Sequence, residues 1–561
     1  MVKPLRFQKI ILLWFFLSCV STPLWAAVGK KAMVATAHPF VTEIALQILE
    51  EGGNAVDAAV AAQWMLNVVE PQASGIGGGG FFLYFDAATR RIYAVDGRET
   101  APAEAFPEMF LDAKGSPYPF LQRATGGLPV GVPGTLKLLK HVHDKFGSKR
   151  FSFAELFSPA IDVAENGFPI SMRLSEFIDS QKDRLKLFES SRAIFLNGEG
   201  EPLAPGEILV QQDLAETFRW IQREGIGVFY EGKLAEEIVD CIRSAPFHPG
   251  HMKKDDLFYY RVMERDPVQG RYRGYDIFSM GPPSSGGTTL IEALNILEFF
   301  DLKSLGRSAD FVHLFSESQK LAFQDRNLYV GDPDFSKAPF QNLLSKEWAR
   351  TRLEEIHMDR TLAKVQAQPA VEGTTTSHIS IVDESGNIVS YTTTIEHIFG
   401  SAMTVPGRGF LLNNELTDFD EIPKNHAGKL KANAAEGDKR PRSSMTPTLV
   451  FKNGLPILVV GSPGGNTIIA TVLNIVVNML DFHMFPEEAL KSPRILNRDG
   501  PVELEAELFA KAVFKKNLRD KGNEVIYKDP FGNAQVVYFD YGQGAIVGAS
   551  DPRGEGQAGG Y

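Results

Sequence analysis

Apolar residues recur at spacings of three and four along PFVTEIALQILEEGGNAVDAAVAAQWMLNVVEP, which begins at residue 39. That spacing predicts two helices parted by Gly52-Gly53, with Asn54 as N-cap of the second and Asp57 at its third position. The period then shortens to two, and ASGIGGGGFFLYFDAATRRIYAVDGR reads as a glycine run opening a strand, a turn and another strand. Helical spacing returns between about residues 130 and 350, in LSEFIDSQKDRLKLF, QDLAETFRWIQREG and SADFVHLFSESQKLAFQDRNLYV, so this part reads as mostly helical scaffold. Residues 360–375, RTLAKVQAQPAVEGTT, hold no period and read as an exposed connection. Beyond them SHISIVD-ESG-NIVSYTTT and TPTLVF-KNG-LPILVVG predict two β-hairpins, and NTIIATVLNIVVNMLDF predicts a helix from residue 466. The last hundred residues predict a helix around 503–521 and strands at NEVIY, NAQVVYFD and GAIVGAS. Strands toward both ends with helices between them predict sheets covered by helices.

Composition narrows the function. The chain has 561 residues, 44% of them hydrophobic, enough for a large core in two to four domains or one oversized one. A net charge of −11, with both signs scattered, argues against nucleic acid as a partner, because phosphate binding needs a basic face. Lys3, Arg6 and Lys9 precede the apolar run Ile10–Leu17, and Leu24-Trp25-Ala26 offers a cleavage site. Residues 1–26 therefore read as a signal peptide and the protein as periplasmic or secreted; the run is too short to span a bilayer of about 30 Å. The only cysteines are Cys19 and Cys241, which excludes a disulfide framework, and Cys241 in EEIVDCIRSA reads as helix filler.

Two motifs carry less than their letters suggest. Gly75-Ile-Gly77-Gly-Gly-Gly80 satisfies the dinucleotide pattern GxGxxG, but a helix precedes it and a strand follows, the reverse of what that pattern needs. It reads as a packing or ligand-approach loop. His248 and His251 in FHPGHMKK lack further ligands at metal-binding spacing and read as a surface loop.

The segment EGTTTSHISIV at 372 places hydroxyls where the connection meets a strand. By propensity alone these threonines are strand formers. A threonine at a chain terminus has a second use: its α-amine, titrating near about 7.7–8.0, is a built-in base for its own hydroxyl. A hydroxyl held at the junction of a loose segment and a rigid strand could create that terminus by attacking the preceding carbonyl.

Thr376-Ser-His-Ile-Ser-Ile-Val-Asp, followed by Thr392-Thr-Thr-Ile-Glu-His-Ile-Phe-Gly400, resembles the start of the small subunit of γ-glutamyltranspeptidases, which are N-terminal-nucleophile hydrolases. GGNAVDAAVAAQ at 52, EPQASGIGGGG at 70, GRETAP at 97, GVPGT at 131, GPPSSGG at 281, FQDRNLYVGDPDF at 323, LLNNELTDF at 411, KRPRSSMTPTLV at 439, GSPGG at 461 and GASDPR at 548 extend the resemblance over nearly the whole chain. It implies an α+β fold, a four-layer αββα sandwich built jointly by a large subunit, 27–375, and a small subunit, 376–561, after self-cleavage between Thr375 and Thr376. It implies Thr376 as nucleophile, Thr394 as its supporting hydroxyl, and Gly464 and Gly465 as the oxyanion hole. Arg98, Ser443 and Ser444 match the site for the donor's α-carboxylate, and Glu415 and Asp418 the site for its α-amine. The implied reaction passes a γ-glutamyl group from glutathione or a related amide to water or an amino acid, with no metal or organic cofactor.

The sequence departs from the family's pattern at several positions. Glu396 stands where many members have asparagine, adding a third carboxylate near the α-amine, and Thr417 replaces an aspartate. Residues 420–440 occupy the place of the active-site lid but contain no tyrosine or tryptophan, and Arg442 replaces a hydrophobic residue, an expected cation at the rim. A lid excludes water, so these changes would favour hydrolysis and admit bulkier donors. They keep two rivals open: an acylase of the same fold acting on glutaryl or polyglutamate amides, and a binding protein whose precursor never cuts itself.

Overall fold

The computed structural model describes residues 26–337, 339–363, 375–505 and 512–561. The segment read as a signal peptide, apart from its last residue, and most of the connection before Thr375 lie outside the described residues.

The alternation in GGFFLYFD decides how the layers stack. Phe82 and Tyr84 of the strand Gly79–Asp86 point to one side and join a core with the helices Pro39–Glu50 and Ala55–Val69. Phe81, Leu83 and Phe85 point to the other side, into a core shared with a second sheet. Each face therefore needs a cover, and each side chain fully withdrawn from water contributes about 1.5–3 kcal/mol. Asn54 caps the second helix as expected, in a reciprocal capping box with Asp57.

Two seven-stranded sheets result. The first runs, edge to edge, Gln557–Gly560, Met33–Thr36, Ser377–Val382, Ile388–Thr394, Gly79–Asp86, Arg91–Gly97 and Met263–Arg265. The second runs Ala26–Gly29, Ala545–Ser550, Gln535–Asp540, Leu455–Gly461, Thr448–Lys452, Tyr275–Ser279 and Val268–Tyr272. All the pairings within these two sheets are antiparallel. The helices Gly286–Leu297 and Ile468–Leu480 cover the outer face of the second sheet, which completes an αββα sandwich.

Three expectations need correction. The middle of the chain is not helical throughout: Met263–Arg265 joins the first sheet, and Val268–Tyr272 with Tyr275–Ser279 forms an edge hairpin of the second. Residues 502–505 are a strand and the helix there is Ala512–Asp520, because Val502 and Leu504 alternate with Glu503 and Glu505 into a small three-stranded sheet. The helix placed at 466 begins at Ile468, after a 3-10 turn over Gly465–Thr467.

Candidate active site

Strand alternation aims the Thr376 side chain. Ile379 and Ile381 face the helix layer, so His378 and Ser380 face the second sheet, where Ser380 Oγ donates to the Gln535 carbonyl. Thr376 shares that parity and meets the loop that follows Leu455–Gly461. Pairing of Ser377 with Thr393 sets Thr376 opposite Thr394 across the hairpin. Thr376 Oγ1 lies 2.5 Å from the carbonyl oxygen of Thr375 and 3.3 Å from Thr394 Oγ1. Thr394 Oγ1 donates to the same Thr375 carbonyl at 3.0 Å and accepts from the Glu396 N–H at 2.9 Å. One carbonyl thus faces two hydroxyls, and a backbone N–H fixes one of them.

The glycine run explains how the hairpin end is seated. A Cβ on Gly78 would collide with the Thr394 carbonyl and one on Gly77 with the Leu411 carbonyl, so only glycine lets the run lie flat against the site. The run is a close-approach loop.

The neighbouring His378 is committed elsewhere. His378 bonds Thr392 Oγ1 at 2.8 Å and Ser380 Oγ at 3.1 Å, and burial pushes its pKa down to about 3. It stays neutral with both nitrogens engaged, which leaves Thr376 without an imidazole base from the adjacent strand.

A narrow cleft opens from Thr376 and Thr394 and gathers the remaining donor-site positions: Arg98, Glu396, Glu415, Asp418, Ser443, Ser444 and Gly465. Arg98, 1% exposed, ends the strand Arg91–Gly97. Its guanidinium pairs with Glu415 through Nη1 and with Asp418 at 2.5 Å through Nη2, while Nε and Nη2 also donate to the carbonyls of Pro441 and Arg442. Burial opposes its charge, but Glu415, Asp418 and Glu99 outweigh burial and push its pKa up. The residues matched to the two ends of a donor therefore neutralise one another. Glu396 adopts φ 79°, a left-handed conformation uncommon outside glycine, and its carboxylate accepts from Asn414 Nδ2.

Gly464 and Gly465 follow the second sheet with φ 131° and 54° and open the 3-10 turn before Ile468. Gly465 lines the cleft, whereas Gly464 lines a larger chamber on the other side of Thr376. Thr375, Glu70, Gln72, Arg173 and Lys528 also line that chamber. Glu70 accepts from Ser377 Oγ at 2.5 Å, and Lys528 pairs with Glu503 at 2.9 Å. Arg173 donates to the Arg553 carbonyl and meets no carboxylate within ion-pair distance among the described residues. Thr376 stands between two cavities, the position needed by a group that divides a substrate into a transferred and a departing part.

Arg442 is not at the rim. It is buried, donating to Asp420 at 3.2 Å and to the Val330 carbonyl. Residues 424–430 of the lid region are exposed, and Arg123–Glu421 at 2.8 Å and Lys424–Glu108 at 2.9 Å tie it down. Cys241 is partly buried and its thiol is pushed up to about 12 by burial, which fits filler.

Two neighbours escaped the sequence reading. Arg326 donates to Ser444 Oγ and Ser285 Oγ, both at 2.8 Å, placing a second guanidinium behind the serines. Its motif, FQDRNLYVGDPDF, had been noted without a role; only the fold brings it within reach of RSSM. Glu99 lies against the cleft's acidic wall, and nothing in GRETAP separates its role from that of Arg98.

Over residues 41–561 the sequence matches the family described as gamma-glutamyltranspeptidase. It is 41% identical over 552 residues to the glutathione hydrolase proenzyme of Bacillus subtilis (strain 168), covering 95% of this chain and 92% of that protein. It is 40% identical over 535 residues to the glutathione hydrolase proenzyme of Escherichia coli (strain K12), covering 94% and 91%. In three dimensions it is similar to cephalosporin acylase from Bacillus halodurans, with TM-score 0.85, 29% identity and coverage of 96% and 97%. Matched along almost its whole length and in its sandwich of layers, the chain belongs to the gamma-glutamyltranspeptidase family.

Proposed function

We propose that this protein is a self-processing γ-glutamyl hydrolase and transpeptidase that cleaves glutathione and related γ-glutamyl amides. In the precursor the Thr376 hydroxyl adds to the Thr375 carbonyl carbon, and Thr394 supports the developing oxyanion. Collapse breaks the peptide bond and leaves an ester; water then cleaves it, giving a large subunit ending at Thr375 and a small one beginning at Thr376. The freed α-amine becomes the base for the same hydroxyl.

In turnover Thr376 adds to the donor's γ-amide carbonyl, with backbone N–H groups at Gly464 and Gly465 facing the oxyanion. The glutamyl carboxylate is taken by Arg98, Ser443 and Ser444, where a guanidinium can grip two oxygens. The ammonium is taken by Glu415, Asp418 and Glu396. The departing amine leaves through the larger chamber, and water or an amino acid enters by the same route. The reading also includes export by the signal peptide at residues 1–26, to the periplasm or beyond.

The observation that carries this reading is the placement of the Thr376 and Thr394 hydroxyls on the Thr375 carbonyl at the mouth of a cleft that ends in Arg98. Purified protein and Thr376→Ala, compared on a denaturing gel with N-terminal sequencing, test it. Only the unsubstituted chain should give a fragment beginning Thr-Ser-His-Ile. Intact chains in both folded samples would favour the binding-protein reading. The likeness to a cephalosporin acylase supports a second reading, a glutaryl-type acylase. It prevails if donors lacking the α-amine are cleaved as fast as γ-glutamyl donors.

A further inference from the structure

Carboxylates outnumber cations in the donor cleft, and one of them has no evident role. Glu99 is fully buried, and neither of its oxygens receives a hydrogen bond from another described side chain. Glu415 uses Oε1 for Arg98, and its Oε2 is likewise without a donor. Glu99 is wedged in place: a Cβ on Gly79 would fall 2.6 Å from Glu99 Oε2, and one on Gly131 would fall 2.9 Å from Glu99 Cβ. Leu416 and Asn413, which flank Glu415, border the same Gly131 position at 3.3 and 3.4 Å. Glu99 and Glu415 lie in one buried pocket beside Arg98, and each acts on the charge of the other. Two bare carboxylates so placed repel, whereas one proton between them makes a hydrogen bond and satisfies the orphaned oxygens.

We propose that Glu99 is a positioning residue that holds Glu415 through a shared proton, and that the donor's ammonium group displaces this proton as it binds. This rests on the γ-glutamyl reading of the site. The exchange balances: one positive charge enters as R–NH₃⁺, one leaves to solvent as a proton, and no covalent bond to carbon changes. The pair thus discriminates for a free α-amine, because a donor without one has nothing to put in the proton's place.

Surrounding groups agree with this assignment. Burial pushes the Glu99 carboxyl up to about 7 and Glu415 well above the usual carboxylate range, with Arg98 only partly offsetting it. Asp418 is the other charged group facing the pair. Tyr230, Tyr260 and Tyr391 also feel the charge of Glu99, and burial holds all three phenols above their ordinary range, so none exchanges the proton near neutrality.

The test compares L-glutamate with glutarate, which lacks the amine, as inhibitors of γ-glutamyl anilide hydrolysis by the processed enzyme between pH 5.5 and 8. The inhibition constant of glutamate should rise by up to about tenfold per unit as the pH falls across this range, that of glutarate should stay level, and Glu99→Gln should flatten the glutamate slope. Parallel profiles for the two inhibitors, or an unchanged slope in Glu99→Gln, would overturn the proposal. Absence of anilide hydrolysis by the processed wild type would instead sink the functional reading. Should Glu99→Gln fail to fold, calorimetry of glutamate and glutarate binding to the wild-type protein at pH 6, in buffers of different ionisation enthalpy, decides without variant or turnover. About one more proton released with glutamate than with glutarate supports the shared proton, and no difference refutes it.

Discussion

Replacing Thr394 with valine removes one hydroxyl and almost no volume, so it isolates what that oxygen does to the bond before Thr376. The Thr394 hydroxyl donates to the Thr375 carbonyl with 3.0 Å between the oxygens, where the oxyanion of self-cleavage would develop. Losing one preorganised oxyanion donor costs about 2.7–4 kcal/mol of barrier, or about 10²–10³ in rate. The substitution also strips the Glu396 N–H of its acceptor at 2.9 Å, a loss of about 1–3 kcal/mol that falls on the stability of the fold. Rate and stability must therefore be read separately. Freshly purified precursor would be incubated at 37 °C, sampled on a denaturing gel for first-order appearance of the small fragment, and followed in parallel by thermal unfolding. Thr394→Val should process at least 100-fold more slowly than wild type, with Thr394→Ser within about tenfold. A valine variant that matures within threefold of wild type would show that Thr394 does not stabilise this oxyanion.

Three further outcomes are expected. Gly464→Ala puts a side chain at φ 131° and its Cβ 2.5 Å from Thr467 Oγ1, so kcat should fall by about 10² or more through a displaced N–H, measured on enzyme that has already processed. His397 is buried with both ring nitrogens unpartnered, and burial followed by Arg184 lowers its pKa to about 3. The unfolded chain binds the proton first, so stability is lost as pH falls below 6.5, by about 2 kcal/mol at pH 5; His397→Phe should shrink the drop in Tm between pH 7 and 5, and an unchanged drop refutes the assignment. Arg173→Ala removes a cation of the larger chamber that meets no carboxylate within ion-pair distance among the described residues, and transfer to glycylglycine should fall about tenfold relative to hydrolysis in a product-partition assay. Equal loss of both reactions would place Arg173 outside acceptor binding.

Legibility followed the range of the interactions. The hairpin carrying Thr376 and Thr394 was readable because alternation in SHISIVD and NIVSYTTT is local, and its parity alone decides which cavity the hydroxyls face. The capping box at Asn54 was equally local. The edge hairpin over 268–279 was missed because Gly270, Arg271, Arg273 and Gly274 break its apolar rhythm, and the edge position tolerates that. Arg442 was misplaced because a charged residue reads as surface unless its acceptors, Asp420 and the Val330 carbonyl, are known. The resemblance gathered Arg98, Glu415 and Asp418 into one site, but their mutual neutralisation is a property of distance, which no motif encodes.

The order of strands has a consequence for the life of the molecule after cleavage. Met33–Thr36, from the part of the chain before Thr376, is inserted between Ser377–Val382 and Gln557–Gly560, and Ala26–Gly29 is zipped to Ala545–Ser550. A cut at Thr375 would leave two polypeptides braided through both sheets, held by ladders that can part only if the sandwich opens. The continuous chain finds this braid as a unimolecular event; two separate chains would have to find it by collision. Maturation would then act as a ratchet: denatured precursor with Thr376→Ala should refold on dilution, whereas denatured two-chain enzyme should not, and the mature form would owe its endurance to a slow way out of the fold.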